Sequence, residues 1–302
     1  MTKIVDYGAF AERLKAAPNR WDLLREFQEE WGYVVKPGAD PRERWPEGRY
    51  ERYLLARGGK TDTDEFEGVD FALPIPAALD EWWELPYNSF TPDSQLHWAH
   101  PWMGTVYPPT AWAEPAEEGD MGPIPDDSDL VPPGADRRVC VFMTEGVYAV
   151  EWGYPAAEAH EPDPRVLAAV GWDEREWVPQ ARSLSEFFLQ LAVQRLPIAL
   201  GWSTQIYAED VSRDDLPELV ARIEAELPAL GFEPWRELGM DTIVRGGPDV
   251  LVHLAYGACG GFFLSGRTPQ ALLALTARLG LERTEDELDG PEDYELDAPE
   301  ES

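Results

Sequence analysis

The alternation of apolar residues between Arg138 and Gly153 (RVCVFMTEGVYAVEWG) predicts a β-hairpin. Two apolar runs flank Glu145-Gly146, and glycine tolerates the positive φ of a two-residue turn. Such a turn sets Thr144 opposite Val147 and Val139 opposite Trp152. Cys140, Phe142, Ala149 and Glu151 then share the other face. The predicted core face carries Val139, Val141, Met143, Tyr148, Val150 and Trp152.

Helical spacing of apolar residues predicts two N-terminal helices, over 2–17 and 20–32. The buried stripe of the second helix contains Trp21, Leu24, Phe27 or Gln28, and Trp31, with Asn19 placed as its cap. A third helix over 47–57 stops at a glycine pair. Residues 1–70 are therefore expected to form a helical N-terminal extension that ends in a polar link.

Prolines frame a predicted helix at Ala77–Glu84, whose buried stripe would be Leu79, Trp82 and Trp83. Residues 108–136 form a Pro/Gly-rich, acidic stretch without a basic residue, which is typical of a functional or disordered loop. Residues 165–172 predict a strand after the hairpin. Ser183–Glu186 is a capping box for a helix expected to end before Pro197. Its Phe187 and Leu191 would cover the apolar face of the hairpin.

The last third predicts a small α-β-β-β-α unit over residues 200–281. Its helices run over about 215–227 and from Pro269 to Gly280, with Thr268 as the second N-cap. Its strands are expected at 241–244, 250–256 and 262–265. Residues 282–302 are acidic and poor in large apolar groups, so a disordered tail is expected.

Charge changes this picture because it is large and unevenly placed. The formal net charge is −33. Residues 1–60 hold 12 basic and 10 acidic residues, whereas residues 61–302 hold 13 basic and 48 acidic ones. Such a field repels nucleic acid phosphates and favours a basic protein partner. From charge alone, solubility or the composition of the source genome is the more common explanation of such acidity.

The two cysteines, Cys140 and Cys259, are too few and too far apart for a disulfide framework. No apolar segment near the N-terminus reads as a signal peptide, and no 18 apolar residues run together. These features predict a cytoplasmic protein without membrane association.

Catalytic patterns are weak in this chain. His97 and His100 lie three residues apart, but Pro101 argues against the helix that would bring two imidazoles together for a metal. His160 lies in a polar loop and His253 in a predicted strand, and histidines at such positions are more often structural than catalytic. Cys259 lies between glycines without a nearby histidine as base. No nucleophile elbow or phosphate-binding loop occurs, so no cofactor or catalytic residue is predicted.

The remaining candidate is an aromatic and acidic contact surface for a partner. Tryptophan is common at protein interfaces, and carboxylates complement a basic protein. The candidate residues lie in or beside the 108–136 loop and on the hairpin. They are Trp102, Trp112, Glu114, Glu117, Glu118, Asp120, Asp126, Asp127, Asp129, Glu145 and Glu151.

A set of motifs occurs in order along residues 71–196: Leu73-Pro74, which opens the first helix, Leu79, Trp82 and Trp83 on that helix, Glu145 and Trp152 on the hairpin, and Trp177 before Ser183–Phe187. In these motifs, residues 71–196 resemble a domain of the SUKH superfamily, which includes the yeast Smi/Knr cell-wall regulators and many bacterial immunity proteins. Leu85–Ser89 is similar to the segment after the first helix in an actinobacterial branch. The acidic stretch 108–136 and the short turn at Glu145 depart from the family pattern.

The resemblance implies an α+β fold, with a central mixed or antiparallel sheet packed with helices over residues 71–199. It also implies protein binding without catalysis, with immunity against a cognate toxin such as a nuclease as the leading function. A regulatory scaffold of the Smi/Knr type is the alternative, and an enzyme with a site around His97 and His100 is the rival class. The oligomeric state stays open.

Overall fold

The computed structural model of the chain describes residues 10, 19–32, 70, 72–85, 110–111, 122–144, 150–171, 176–207, 216–237, 240–257 and 261–291. These residues form helices and antiparallel sheets, so the predicted α+β class is confirmed. The helices are α1 (Asp22–Glu30), α2 (Ala77–Glu84), α3 (Leu184–Leu200), α4 (Leu216–Glu226) and α5 (Pro269–Arg278). The strands are β1 (Thr110–Ala111), β2 (Val139–Thr144), β3 (Glu151–Pro155), β4 (Val166–Val170), β5 (Glu176–Ala181), β6 (Trp202–Tyr207), β7 (Trp235–Glu237), β8 (Met240–Gly246), β9 (Val250–Gly257) and β10 (Gly261–Gly266).

Contacts divide the chain into two compact units. Unit 1 comprises Met1–Val34, Leu189–Trp235 and Met240–Ser302, and unit 2 comprises Val35–Phe188 and Arg236–Gly239. The boundary after Phe188 falls inside α3. The segment boundaries predicted at 70/71, 199/200 and 281/282 stay predictions.

The first sheet is a meander in the order β1-β2-β3-β4-β5. Its β2 and β3 form the predicted antiparallel pair, but the predicted register is wrong. Thr144 lies opposite Glu151, and Val139 lies opposite Pro155. The connection therefore holds residues 145–150 instead of a two-residue turn, and a bulge between Val141 and Met143 shifts the pairing again.

This register changes which side chains share a face. The Phe142 ring contacts the Phe187 ring of α3 edge-on at 5.3 Å between centroids, and Trp152 lies 5.9 Å from the same ring. Val139 and Val141 instead belong to a separate apolar cluster. The expectation that Val139, Val141 and Trp152 share one core face is wrong, because both faces of the hairpin are buried.

Helix α2 begins and ends where the sequence predicts, directly after Pro76. Leu79 and Trp82 are buried, and the Trp82 ring stacks on Phe188 with 3.8 Å between centroids. Such aromatic stacking adds to the free energy gained from burial alone. The N-terminal residues of α3 thus pack against both α2 and β2 within unit 2.

The N-terminus of α3 is capped as predicted, since the Ser183 hydroxyl accepts a hydrogen bond from the Glu186 amide at 3.1 Å. Asp163 adds a second cap by accepting from the Ser185 amide at 3.0 Å. The predicted end before Pro197 is wrong, because α3 continues through Pro197 to Leu200.

The second sheet has the order β6-β10-β9-β8-β7. Strands β8, β9 and β10 and helices α4 and α5 lie where the sequence predicts them, and Thr268 caps α5 by accepting from the Ala271 amide at 3.2 Å. One face of this sheet packs on both helices through a core that includes Ile223, Leu264 and Leu275. Strands β6 and β7 are additions to the predicted unit.

The segment after α5 is partly ordered, contrary to the predicted disorder of 282–302. Asp289 exchanges two backbone hydrogen bonds with Ser203 of β6, at 2.8 and 2.9 Å, and Leu288 is buried in the core of unit 1. A short 3-10 turn at Glu285–Glu287 precedes them. Residues 292–302 lie outside the described residues.

Helix α1 confirms the predicted stripe, because Trp21, Leu24, Phe27, Gln28 and Trp31 are all buried. The Asn19 side chain accepts a hydrogen bond from the Trp21 amide at 2.9 Å, so it stabilises the turn that leads into the helix. The predicted helix at 47–57 and, apart from Phe10, the one at 2–17 lie outside the described residues.

Gly153 provides a test of the close packing in the first sheet. A Cβ atom at this position would lie 2.6 Å from Val139 Cγ1 and 2.8 Å from the Cys140 carbonyl oxygen. We expect Gly153→Ala to lower the free energy of unfolding by about 1–3 kcal/mol in urea denaturation. Gly247→Ala is the matched control, because the nearest atom to its Cβ is 3.9 Å away. Equal effects of the two substitutions would contradict the packing.

Candidate protein-interaction surface

Residues 122–138, here called the acidic loop, form consecutive tight turns. The Ser128 amide donates to the Pro125 carbonyl at 3.0 Å, and the Ala135 amide donates to the Pro132 carbonyl at 3.1 Å. Gly134 has φ 80°, as the third residue of a type II turn requires. The loop therefore has a defined path without helix or strand.

Two apolar side chains anchor the acidic loop to the first sheet. Ile124 and Val131 are almost completely buried and pack in one cluster with Val139, Val141 and Trp177. Their burial provides roughly 1.5–3 kcal/mol each. The loop thus covers the face of the hairpin that α3 leaves open.

Hydrogen bonds fix the same loop at its ends. The Ile124 amide donates to the Arg137 carbonyl at 2.8 Å, which joins the beginning of the loop to its end. The indole of Trp177 on β5 donates to the Gly122 carbonyl at 2.9 Å. Each bond satisfies a backbone carbonyl that the irregular path would otherwise leave unpaired.

Arg137 stabilises the first turn of the loop by hydrogen bonds to its backbone. Its guanidinium donates to the Pro125 carbonyl and, at 2.8 Å, to the Asp126 carbonyl. Its Nε lies 3.3 Å from the Asp126 carboxylate. One planar group thus holds two successive carbonyls, a geometry that lysine cannot reproduce.

Arg165, at the start of β4, braces the second turn. Its guanidinium donates to the Leu130 carbonyl, and its Nε donates to Glu158 at 2.8 Å. Partial burial raises the pKa of Glu158, while the Arg165 charge opposes this change. Glu158 remains the hydrogen-bond acceptor that orients Arg165 toward the loop.

Arg138 closes the loop by binding two carboxylates. It donates to Asp136 at 2.6 Å and to Asp70 at 2.7 Å. These hydrogen bonds hold the pKa of both aspartates below the usual range. Because Asp136 is already paired with Arg138, it is less available to a partner.

Three carboxylates of the acidic loop point outward. Asp126, Asp127 and Asp129 are exposed, and the Asp126 side chain stays fully accessible beside Arg137. The backbone that carries them is braced by Arg137 and Arg165. The arrangement presents negative charge at fixed positions, which suits contact with a cationic surface.

Glu151 lies on the same side of the first sheet as the acidic loop. It is opposite Ala169, and Ala169 is opposite Trp177, so the three share a face. Glu151 is partly exposed. The structure thus associates four of the predicted contact residues with one side of the sheet: Asp126, Asp127, Asp129 and Glu151.

The other predicted contact residues lie outside the described residues, and their role stays a prediction. This group comprises Trp102, Trp112, Glu114, Glu117, Glu118, Asp120 and Glu145, together with His97 and His100 of the rival enzymatic site. Cys259 is likewise outside.

The described histidines and cysteine have surroundings of their own. His160 is exposed on a turn, and His253 is buried in β9. Burial raises the pKa of the Cys140 thiol to about 12, so the thiolate is disfavoured at neutral pH. Within the described ranges, no three His, Cys, Asp or Glu side chains are grouped to hold a metal ion, and no helix is long and apolar enough to cross a membrane.

Sequence reasoning identified the exposed aspartates but missed the groups that hold them. Arg137 and Arg138 follow the acidic stretch directly, and this adjacency is a usable signal. The sequence gives no signal that Arg165 and Trp177 hold the loop. Arg165 donates to the backbone carbonyl of Leu130 and Trp177 donates to that of Gly122, and both carbonyls lie far away along the chain.

Arg137 allows a direct test of the brace. We expect Arg137→Ala to increase amide exchange of residues 122–131 by roughly tenfold or more, because the first turn loses its charged donor. Hydrogen exchange with mass spectrometry measures this locally. Arg283→Ala removes the same charge from a side chain that donates to the adjacent Glu282 carbonyl, and it should leave the loop unchanged. Unchanged exchange in Arg137→Ala would contradict the brace.

No protein-family model matches the chain, and neither a curated protein nor a solved structure matches it significantly. The SUKH resemblance therefore stays a prediction from motifs.

Proposed function

We propose that this chain is a non-catalytic, cytoplasmic protein-binding module whose acidic loop contacts a basic partner. The specific role proposed is immunity: the chain neutralises a cognate toxin by direct contact. A nuclease is the favoured class of toxin, because a nuclease needs a cationic surface to bind its substrate.

The observation that carries this proposal is that Asp126, Asp127 and Asp129 are exposed on a backbone held in place by hydrogen bonds from Arg137 and Arg165. A loop that is ordered before binding loses less conformational entropy when it binds. Ile124 and Val131 anchor its backbone in the core, so the aspartates keep their positions. Ordered negative charge is the complement of an ordered cationic site.

The total charge supports the same class of partner. A net charge of −33 accelerates encounter with a cation and slows encounter with nucleic acid. Because exposed charges are screened beyond about 8–10 Å at physiological ionic strength, the local loop charge matters most at contact. Binding is therefore expected to weaken steeply with salt.

The surroundings of the described reactive side chains favour binding over catalysis. Cys140 is buried with a raised pKa, and His253 is enclosed within the second sheet. The predicted resemblance to immunity proteins points to the same class. A regulatory scaffold of the Smi/Knr type would use several partners in place of one toxin.

A rescue experiment tests the proposal. The chain is co-expressed with each product of the adjacent genes, and growth is measured. We expect the wild-type chain to rescue growth from one toxic product. The triple variant Asp126→Asn, Asp127→Asn, Asp129→Asn should bind that product about tenfold more weakly, because it loses the exposed loop charges.

The matched control is Glu282→Gln, Glu285→Gln, Asp286→Asn, which removes the same charge from exposed positions of unit 1. It should rescue as well as the wild type. Equal binding by both triple variants would exclude the acidic loop as the contact surface. Failure of the wild type to rescue from any neighbour would contradict immunity, and binding of several non-toxic partners would favour the scaffold.

A further inference from the structure

Helix α3 contains a proline in its last two turns, where a helix normally breaks. Pro197 has no amide hydrogen, so the carbonyl of Val193, four residues earlier, lacks its helical donor. This carbonyl belongs to a buried residue, and an unpaired carbonyl there would be costly. The helix nevertheless continues to Leu200.

His253 supplies the missing donor. Its Nε2 lies 3.0 Å from the Val193 carbonyl oxygen, and since a carbonyl only accepts, Nε2 must carry the hydrogen. His253 lies in the middle of β9, and both residues belong to unit 1. A side chain of the second sheet thus replaces a backbone hydrogen bond of α3.

The surroundings of the imidazole oppose a positive charge. His253 lies opposite Phe263 on β10 and Val244 on β8, and both neighbours are apolar. Among the residues that the structure describes, Arg195 of α3 is the charged group that acts on the ring, and it disfavours protonation. His253 as a residue is only 2% exposed. A proton added here would bring a buried charge close to a cation.

We propose that the His253–Val193 hydrogen bond is an acid-sensitive latch, which holds the last turns of α3 against the second sheet. An added proton enters at Nδ1 and leaves the Nε2–H donor in place, so acid opens the latch because a positive charge is then buried near Arg195. The latch is independent of the proposed function. The segment it controls leads through Gly201 into β6. Opening would therefore loosen the edge strand that also binds Asp289.

The sign of the pH effect follows from burial. Burial lowers the pKa of His253 from 6.5 to about 4, although the Val193 and Phe263 carbonyls oppose the change. Above pH 6.5 the ring is neutral in both the folded and the unfolded chain. Between pH 6.5 and 4 the unfolded chain binds the proton while the folded chain does not. The stability of the fold therefore decreases as the pH is lowered, and the folding equilibrium constant drops by up to tenfold per pH unit.

A double-mutant cycle tests the exchange of donors. Pro197→Ala restores the amide that can bond to Val193, so the imidazole becomes dispensable. We expect His253→Ala to reduce the folding equilibrium constant at least about fivefold less in the Pro197→Ala background than in the wild type. The control cycle pairs Pro197→Ala with Ile223→Ala, at a residue of α4 that packs in the core containing Val252 and Leu264. The effects of these two substitutions on the free energy of unfolding should be additive. Equal cost of His253→Ala in both backgrounds would overturn the latch.

A pH series tests its sensitivity to acid. His253→Gln keeps an N–H donor that does not titrate. The ratio of the wild-type folding constant to that of His253→Gln should fall about a hundredfold from pH 7 to pH 4. A constant ratio would overturn the proposal. Should the variant fold poorly, hydrogen exchange in the wild-type chain decides. Residues 194–207 should lose protection over this range, after correction for intrinsic rates, more than residues 139–170, and an equal loss would overturn it.

Discussion

Burial of both faces of the β2–β3 pair determines where the acidic loop can lie. Phe187 covers one face through Phe142 and Trp152, and Ile124 and Val131 cover Val139 and Val141 on the other. Detaching the loop would expose four large aliphatic side chains to water, at roughly 25 cal/mol per Å². A loop of turns and prolines is thereby held against the sheet, and its ordered path is a consequence of the core.

The same core resolves an electrostatic conflict. Neighbouring carboxylates repel each other, and Asp126, Asp127 and Asp129 would favour an extended, mobile loop in isolation. Arg137, Arg138 and Arg165 oppose this by donating to carbonyls and carboxylates of the loop. The arginines neutralise the base of the loop while its outer carboxylates stay in water. The exposed carboxylates therefore point outward from a backbone whose carbonyls are hydrogen-bonded to arginine side chains.

Local signals predicted much of this architecture. Helices α2 and α5 followed from prolines, a capping threonine and a terminating glycine, all within a few residues of each helix. The hairpin register did not follow, because Thr144 pairs with Glu151 and not with Val147, the partner that a two-residue turn at the glycine would set. The predicted end of α3 before Pro197 was wrong. The helix continues because His253 on β9 donates the hydrogen bond to Val193 that the proline cannot donate. The exposed aspartates were visible in composition, whereas Arg165 and Trp177 act on carbonyls that no sequence pattern marks.

Amide exchange of the acidic loop in the free wild-type chain tests the central claim most directly. The claim is that the loop is ordered before any partner binds. The account predicts that the Ile124 and Ala135 amides, which donate to the Arg137 and Pro132 carbonyls, exchange far more slowly than in an unstructured peptide. Exchange of both amides at the unstructured rate, with β2 and β4 still protected, would contradict a preorganised contact surface.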